Sequence, residues 1–268
     1  MIGRIIIFFG FGLLIQSCND QETSPDKLTS YPMNIGTEWI YDQEKIIKIF
    51  ESETSEQVID IDTIRSTISV IISKDTILRD SILVKEFVAN EIGSQVYSKE
   101  YFKLDNDGLK AYAYKNGGSK AFAKKKSAKI VENAMFKTFQ LDPVLIGTEE
   151  DILYFHAQPR LSIKLPLSVD DKWNYVPLSE SFNLKIDKEV VGFERLKFSF
   201  GTFDCYKIRY KYIDSVFDGI DLVDWVSAQG LIKRQVINER VTLIVEEGES
   251  IGNIQLIDIL TIKELKLK

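Results

Sequence analysis

The segment GTFDCYKIRYKYI (201–213) decides the fold class, because its residues alternate between apolar and charged types. The apolar side carries Tyr206, Ile208, Tyr210 and Tyr212. The opposite side carries Lys207, Arg209 and Lys211. Successive side chains of a strand point to opposite faces, so this period of two predicts a half-buried strand of an antiparallel sheet.

The same alternation recurs elsewhere in the chain. One side of a second candidate strand carries Ile64, Ile68, Val70 and Ile72. Turn-forming residues separate such runs, as in the segment Asp105-Asn106-Asp107-Gly108. No strand–helix–strand alternation is present, which argues against a parallel α/β sheet. The sequence therefore predicts a mainly β, antiparallel fold that forms a single domain over residues 31–268.

One segment departs from this pattern. Residues 119–139 (SKAFAKKKSAKIVENAMFKTF) are rich in alanine and lysine. Their apolar residues recur at helical spacing: Ile130, Val131, Ala134, Met135 and Phe139. We predict a helix there, and at most one or two helices in the whole chain.

Two segments echo each other at an offset of 134 residues. PMNIGTEWIY (32–41) and PLSVDDKWNY (166–175) share a proline, two apolar positions, a tryptophan and a tyrosine. The shared pattern indicates a proline-led turn that feeds a strand anchored by a buried tryptophan. Two occurrences do not establish a repeat, so two related halves and coincidence both stay open.

The first 18 residues, MIGRIIIFFGFGLLIQSC, combine one early cation with an apolar core that ends before Ser17-Cys18. The core has the length of a secretory signal core and is too short to span a bilayer as a helix. A plain signal ends in an Ala-x-Ala-like site, whereas this segment ends in Ser-Cys. It resembles a bacterial lipoprotein signal peptide, with Ile15-Gln16-Ser17-Cys18 at the lipobox positions.

That resemblance implies removal of residues 1–17 as a signal peptide and lipidation of Cys18. Two or more acyl chains hold a protein stably on a membrane. Residues 18–30 (CNDQETSPDKLTS) are polar and predict a flexible tether between the lipid and the domain. We therefore expect a lipid-anchored protein of the cell envelope, on either face of the outer membrane.

The charge balance bears on the binding partners, and the cysteine count bears on disulfide bonds. The net charge is −6 and the basic residues form no dominant stripe, which argues against nucleic acid as a partner. Of the two cysteines, lipidation of Cys18 leaves Cys205 alone, so no disulfide forms within the chain. Packing alone must hold the folded state.

Three segments resemble the TapB-like group of envelope proteins: YPMNIGTEWIYD (31–42), GTFDCYKIRY (201–210) and DWVSAQGLIKRQ (224–235). The turn Ser227-Ala228-Gln229 departs from the lysine- or proline-containing turn of that group. The resemblance implies a strongly curved antiparallel sheet or open half-barrel, similar in outline to that of the bacterial lipoprotein carriers. It implies no catalytic residues.

Conspicuous residues in these segments have structural interpretations. We expect Gly201 and Gly230 at tight turns with positive φ. The apolar residues on both faces of 203–208 predict a strand covered on both sides, or a bulge. We also expect a hydrogen-bond partner for the indole N–H of each buried tryptophan: Trp39, Trp173 and Trp225.

Candidate catalytic and metal-ligating residues are few. His156 is the single histidine, and neither it nor Cys205 lies in a recognised nucleophile or zinc motif. We expect a structural or surface histidine and a buried thiol. The 105–108 segment fails the calcium-loop pattern and predicts a hairpin turn. A charged loop is predicted for the acids Asp214, Asp218, Asp221 and Asp224.

These observations favour a non-enzymatic binding module that holds an apolar ligand or a lipid on the concave face of the sheet, with no metal or cofactor. The second hypothesis is an envelope assembly factor that binds another protein through an exposed apolar patch. A hydrolase is the third, because 40 acidic residues leave a catalytic carboxylate pair open.

Overall fold

The computed structural model describes residues 27–52, 54–94, 97–117, 152–179, 184–213, 219–244 and 250–268. The chain there forms twelve strands: β1 (Glu38–Phe50), β2 (Val58–Ile77), β3 (Leu83–Glu91), β4 (Tyr97–Asp105), β5 (Gly108–Gly117), β6 (Leu153–Lys164), β7 (Lys172–Ser179), β8 (Leu184–Phe198), β9 (Gly201–Ile213), β10 (Ile220–Ser227), β11 (Gly230–Ile244) and β12 (Ser250–Lys266). One 3₁₀ turn, Arg79–Ser81, joins β2 to β3. No helix in this part of the chain is long and apolar enough to cross a membrane. The predicted helix at 119–139 and the predicted lipidation residue Cys18 lie outside the described residues.

All twelve strands belong to one antiparallel sheet with the order β6-β5-β4-β3-β2-β1-β12-β11-β10-β9-β8-β7. Neighbouring strands are consecutive in sequence apart from β1 and β12, whose ladder joins the two ends of the chain. The edge strands β6 and β7 are also consecutive, so the sheet curves round until its edges approach each other as a nearly closed barrel. The predicted mainly β, curved antiparallel fold is confirmed, and twelve strands carry the curve beyond a half-barrel.

Strand β9 shows how the alternating sequence builds the wall of the barrel. Tyr206, Ile208 and Tyr210 are buried on its inner face, as predicted. Arg209 and Lys211 are exposed on its outer face. Burial of the apolar side of each strand thus fixes which face becomes the interior, since a slip of one residue would reverse all of them.

The start of β9 is covered on both faces, as its sequence predicts. Cys205 is buried on the outer face, although Tyr206 is buried on the inner face. A register shift in β8 between Val190 and Gly192 marks a bulge opposite this point. Outside, Phe203 contacts two further aromatic rings, with centroid distances of 5.8 Å to Phe198 and 5.7 Å to Phe200.

The two predicted turn glycines differ. Gly230 has a φ of 109° and follows the turn between β10 and β11, so that prediction is confirmed. An added Cβ there would lie 2.6 Å from the indole nitrogen of Trp39. The prediction for Gly201 is wrong, because Gly201 pairs with Phe198 in the ladder and does not have the positive φ that was expected.

One end of the barrel is filled by apolar side chains, and we call it the packed end. All the odd-numbered strands begin at this end. The rings of Trp39 and Phe87 are stacked with centroids 6.1 Å apart, and the Phe87 ring meets Phe102 edge-on at 5.0 Å. Leu28, within the predicted tether, is buried here and pairs with Leu167. The chain therefore enters the fold at the packed end.

The two echoing segments form the same turn before β1 and before β7. The Thr37 amide donates to the Asn34 carbonyl at 3.1 Å, and the Asp171 amide donates to the Ser168 carbonyl at 3.2 Å. The corresponding residues of these two turns are 134 residues apart in the sequence, which is the offset between the two echoing segments. The residue before the donor has a positive φ in both turns, 86° at Gly36 and 69° at Asp170.

The halves β1–β6 and β7–β12 also correspond across the sheet. Gly36 donates to the Ile72 carbonyl at 2.8 Å, and Asp170 donates to the Val190 carbonyl at 3.0 Å. Following ladder partners from these carbonyls gives two equivalent rows: Ile72, Phe87, Glu100 and Tyr114 in one half, and Val190, Ile208, Asp224 and Arg234 in the other. The echo is therefore a shared structural device that occupies equivalent places in the two halves of the sheet.

Candidate functional site

The seam between β6 and β7 is the one place where consecutive strands of the described sheet share no ladder. Side chains bridge it instead. The Trp173 indole N–H donates to the Leu161 carbonyl at 2.7 Å, and the Lys188 ammonium donates to the Ser162 carbonyl at 2.7 Å. These bonds occupy carbonyls on the edge of β6 that a neighbouring strand would otherwise bind.

A layer of buried polar side chains crosses the interior above the packed end; we call it the polar belt. Its centre is the pair Arg234 and Asp224, joined by two hydrogen bonds, Nε–Oδ1 at 2.6 Å and Nη2–Oδ2 at 2.7 Å. The Tyr210 hydroxyl donates to Asp224 Oδ2 at 2.8 Å. Burial opposes the charged form of Arg234, but the Asp224 carboxylate outweighs it and raises the pKa of the guanidinium.

Lys188 is the second buried cation of the belt. Its Nζ lies 3.9 Å from the centroid of the Tyr175 ring and 4.1 Å from that of Tyr210. The two rings meet edge-on with centroids 5.6 Å apart. The negative faces of aromatic rings stabilise a desolvated ammonium group, so the two rings favour the burial of Lys188 inside the wall.

Two phenols complete the belt. The Tyr41 hydroxyl donates to the Leu231 carbonyl at 2.8 Å. Burial raises the pKa of Tyr41 and of Tyr31 well above the usual value of 10.0, so both stay protonated. Glu100 is 4% exposed and lies in the same row position as Asp224. The belt therefore combines two cations, two acids and neutral hydroxyl groups, which suits a polar contact surface.

Beyond the belt the inner face is only partly covered; we call this the open end. A second polar ladder lies here, in which the Gln43 amide donates to both Asp258 oxygens at 3.0 Å. Next to it is an apolar cluster of Ile47, Ile254 and Leu256, with the half-buried Ile49 and Ile64 packed against it. The open end thus offers a concave, partly exposed apolar surface beside polar groups.

His156 and Cys205, the two candidate catalytic or metal-ligating residues of the sequence, lie on different strands. His156 is 9% exposed on β6 and its ring lies 5.4 Å from that of Tyr114. Cys205 is fully buried on β9, and burial raises the pKa of its thiol to about 12, which suppresses the nucleophilic thiolate. His156 was predicted to be structural or at the surface, and Cys205 was predicted to be buried. No group of three His, Cys, Asp or Glu that could hold a metal occurs in the part of the chain that the structure describes.

The acidic motifs also have structural roles. The predicted hairpin turn is confirmed, because Asp105 ends β4 and pairs with Gly108. Asp107 binds Lys110 at 2.9 Å. The charged-loop prediction is wrong for Asp221 and Asp224, which lie on β10, where Asp224 faces the interior. Asp214 and Asp218 lie outside the described residues.

Each tryptophan N–H has the partner that its burial requires. Trp39 donates to the Gln229 carbonyl at 2.7 Å and Trp225 donates to Glu194 Oε2 at 2.8 Å, alongside the Trp173 bond across the seam. Sequence reasoning missed Arg234 and Lys188. The available signal was a charge at an inward position, since Ile232, Arg234 and Val236 share one side of β11.

Comparison with known proteins adds little to this geometry. No protein-family profile matches the chain, including any for the TapB-like group, and no curated protein matches it. The chain has a weak likeness to a solved structure described as an outer membrane lipoprotein-sorting protein domain from Vibrio parahaemolyticus. That likeness has 8% identity and a TM-score of 0.24 over 87% of this chain and 86% of that chain. A likeness at this level carries no argument about function.

Proposed function

We propose that the protein is a lipid-anchored lipoprotein of the cell envelope, attached to the outer membrane through Cys18, and that it binds an apolar ligand or lipid without catalysing a reaction. The observation that carries the binding proposal is the change along the inner face. Tyr210 is buried at the polar belt, whereas Tyr212, two residues further along the same face of β9, is half-buried at the open end.

The chemistry of the two ends determines how a ligand would lie. The packed end is filled by the protein's own side chains, so it has no room for a ligand. At the open end, Ile47, Ile49 and Ile64 give an apolar surface, and Gln43 and Asp258 give hydrogen-bonding groups. A molecule with an apolar chain and a polar group fits that combination.

The binding proposal is tested with the protein lacking residues 1–18, exported through a plain signal and titrated with a dansyl-labelled fatty acid. Ile64→Asp places a carboxylate on the inner face, and we expect it to weaken binding by about tenfold or more. Ile61→Asp is the matched control, since Ile61 is 58% exposed on the outer face of the same strand. Equal loss in both variants, or no binding by the parent, contradicts the proposal.

The anchor is tested by metabolic labelling with a fatty acid. We expect label on the wild type and none on Cys18→Ala, because acylation requires the thiol of that residue. An unlabelled wild type contradicts the anchor and leaves the binding experiment unaffected.

One observation favours the alternative, an envelope assembly factor. Strand β2 pairs with β3 only from Ile68 onward, so within the described residues its first half is a free edge. Ile59 and Ile61, both 58% exposed, lie on that edge. Such edges bind an added strand from a partner. A photo-crosslinker at position 59 that yields one discrete product, absent from position 48 on the central strand β1, supports this alternative.

A further inference from the structure

Large apolar side chains are exposed in the turns of the packed end. Ile35 and Val169 occupy equivalent positions in the two matching turns and are 47% and 40% exposed. Turn positions are ordinarily taken by small or polar residues. An apolar residue at the same exposed point in both halves therefore indicates a contact made by this end of the barrel.

Other apolar side chains in the turns and at the strand ends of the packed end are exposed as well. Ile77 and Leu83 flank the turn between β2 and β3 and are 71% and 56% exposed. Phe200 lies in the turn between β8 and β9, the corresponding hairpin of the other half, and is 45% exposed. Leu267, beside the last residue, is 51% exposed. Both halves thus expose large apolar side chains at this one end of the barrel, and exposed apolar surface is typical of interaction sites.

Exposed cations lie among these residues, namely Lys27, Arg79, Lys197 and Lys268, and two of the turns also carry the exposed acids Asp80 and Asp170. They come from four separate parts of the chain that the fold brings to one end. Apolar side chains interspersed with lysine and arginine are typical of surfaces that lie in the headgroup region of a membrane containing anionic lipid.

The position and length of the tether identify the partner. Leu28 pairs with Leu167 at the packed end, so the chain leaves the domain there. Nine residues, Cys18 to Asp26, precede Lys27. Even fully extended they span at most about 30 Å. An acylated Cys18 therefore holds the packed end within that distance of the bilayer, at high effective concentration.

We propose that the packed end of the barrel lies on the lipid bilayer, with Ile35, Val169 and Phe200 inserted at the boundary between headgroups and acyl chains. This inference rests on the proposed anchor at Cys18. It orients the open end away from the membrane that carries the anchor. The open end also exposes isoleucines, Ile61 and Ile92, but no tether leaves the domain there.

The test uses the full-length lipidated protein, reconstituted in vesicles of phosphatidylethanolamine and phosphatidylglycerol. Single cysteines replace Ile35, Val169 or Phe200 and carry an environment-sensitive fluorophore, while Ile61→Cys and Ile92→Cys are the matched controls. Cys205 is fully buried and Cys18 is acylated in the anchored protein, so neither competes for the label. Nitroxide-bearing lipids then report which labels contact the bilayer.

We expect quenching at the three packed-end positions to exceed that at positions 61 and 92 by about twofold or more. Equal quenching at both ends, in protein that still floats with the vesicles, overturns the docked orientation and leaves the anchor standing. Protein that fails to float overturns the anchor and the orientation with it. Circular dichroism of each labelled variant confirms the β fold, and three independent positions guard against a local defect.

Discussion

The two halves of the barrel use the same backbone device and fill it differently. In the first half the row from Ile72 reaches Glu100 and then Tyr114. In the second half the equivalent row from Val190 reaches Asp224 and then Arg234, which bind each other through two hydrogen bonds. The difference teaches that turns and registers set the shape of the wall, whereas the inward side chains differ between the halves, and the second half buries an acid together with its cation.

The largest expected effect is that of Arg234→Ala. It leaves the Asp224 carboxylate buried without its guanidinium, which costs about 3–5 kcal/mol of unfolding free energy. Tyr114→Phe, at the equivalent position of the other half, removes one hydroxyl group and should cost about 1 kcal/mol. Urea denaturation followed by tryptophan fluorescence measures both. Similar values for the two variants would show that the buried charge pair is not what separates the halves.

The matching glycines that begin β5 and β11 give the second effect. A Cβ on Gly108 would lie 2.0 Å from the Ile163 carbonyl oxygen, a backbone atom, whereas one on Gly230 would meet the side chain of Trp39 at 2.6 Å. Both residues also have a positive φ. We expect Gly108→Ala to destabilise by about 3 kcal/mol or more and Gly230→Ala by about 1–3 kcal/mol.

Gly201→Ala is the control for these two variants, because its Cβ would have only ordinary contacts with the Phe203 ring at 3.6 Å. Thermal unfolding of the three variants should rank Gly108 first and Gly201 last. A larger cost for Gly230 than for Gly108 would show that the Trp39 ring is held more rigidly than the backbone near the seam.

The third effect concerns the seam. Lys188→Met keeps most of the length of the side chain but removes the bond to the Ser162 carbonyl, and we expect a loss of about 1–3 kcal/mol. Val70 is opposite Trp39 as Lys188 is opposite Trp173, so Val70→Met is the matched variant in the other half. Hydrogen exchange should rise in β6 and β7 for the lysine variant only. Protection that is unchanged there would contradict the bridging role of Lys188.

The smallest effect is in the titration of two surface carboxylates. A hydrogen bond from Ser69, aided by Lys266, lowers the pKa of Glu38. Hydrogen bonds from Lys211 and Lys172 lower the pKa of Glu189. For both groups the stabilisation is present above the unfolded pKa and is lost as pH falls through the lower folded value.

The pKa values of these two carboxylates should respond differently to salt. At about 1 M salt the lysine contributions are screened, so the pKa of Glu189 should return nearer to its usual value than that of Glu38. Ser69→Ala should raise the pKa of Glu38 and leave that of Glu189 unchanged. Carboxyl chemical shifts measured by NMR at low and high salt give both values. An equal response of the two groups to salt would remove the distinction.

The sequence predicted the wall of the barrel better than its contents. Alternation in 206–212 gives the correct inner face because burial of one side of a strand is a local rule. The echo of 32–41 in 166–175 gives the matching turns for the same reason. Asp224 was assigned to a loop because its partner Arg234 lies on another strand, and ladder register is not visible in one segment. The side-chain bonds between β6 and β7 were not predicted, because they depend on how far the whole sheet curves.

The ladder between β1 and β12 has a consequence for how the chain reaches this structure. Ten of the eleven ladders join strands that follow each other in sequence, so each needs only a short loop to close. The remaining ladder pairs Glu38 with Lys266 and spans nearly the whole domain. Closing so long a loop is slow and entropically costly before its contacts form. We therefore expect the local ladders to form before the β1–β12 ladder, and closure of that ladder to limit the folding rate.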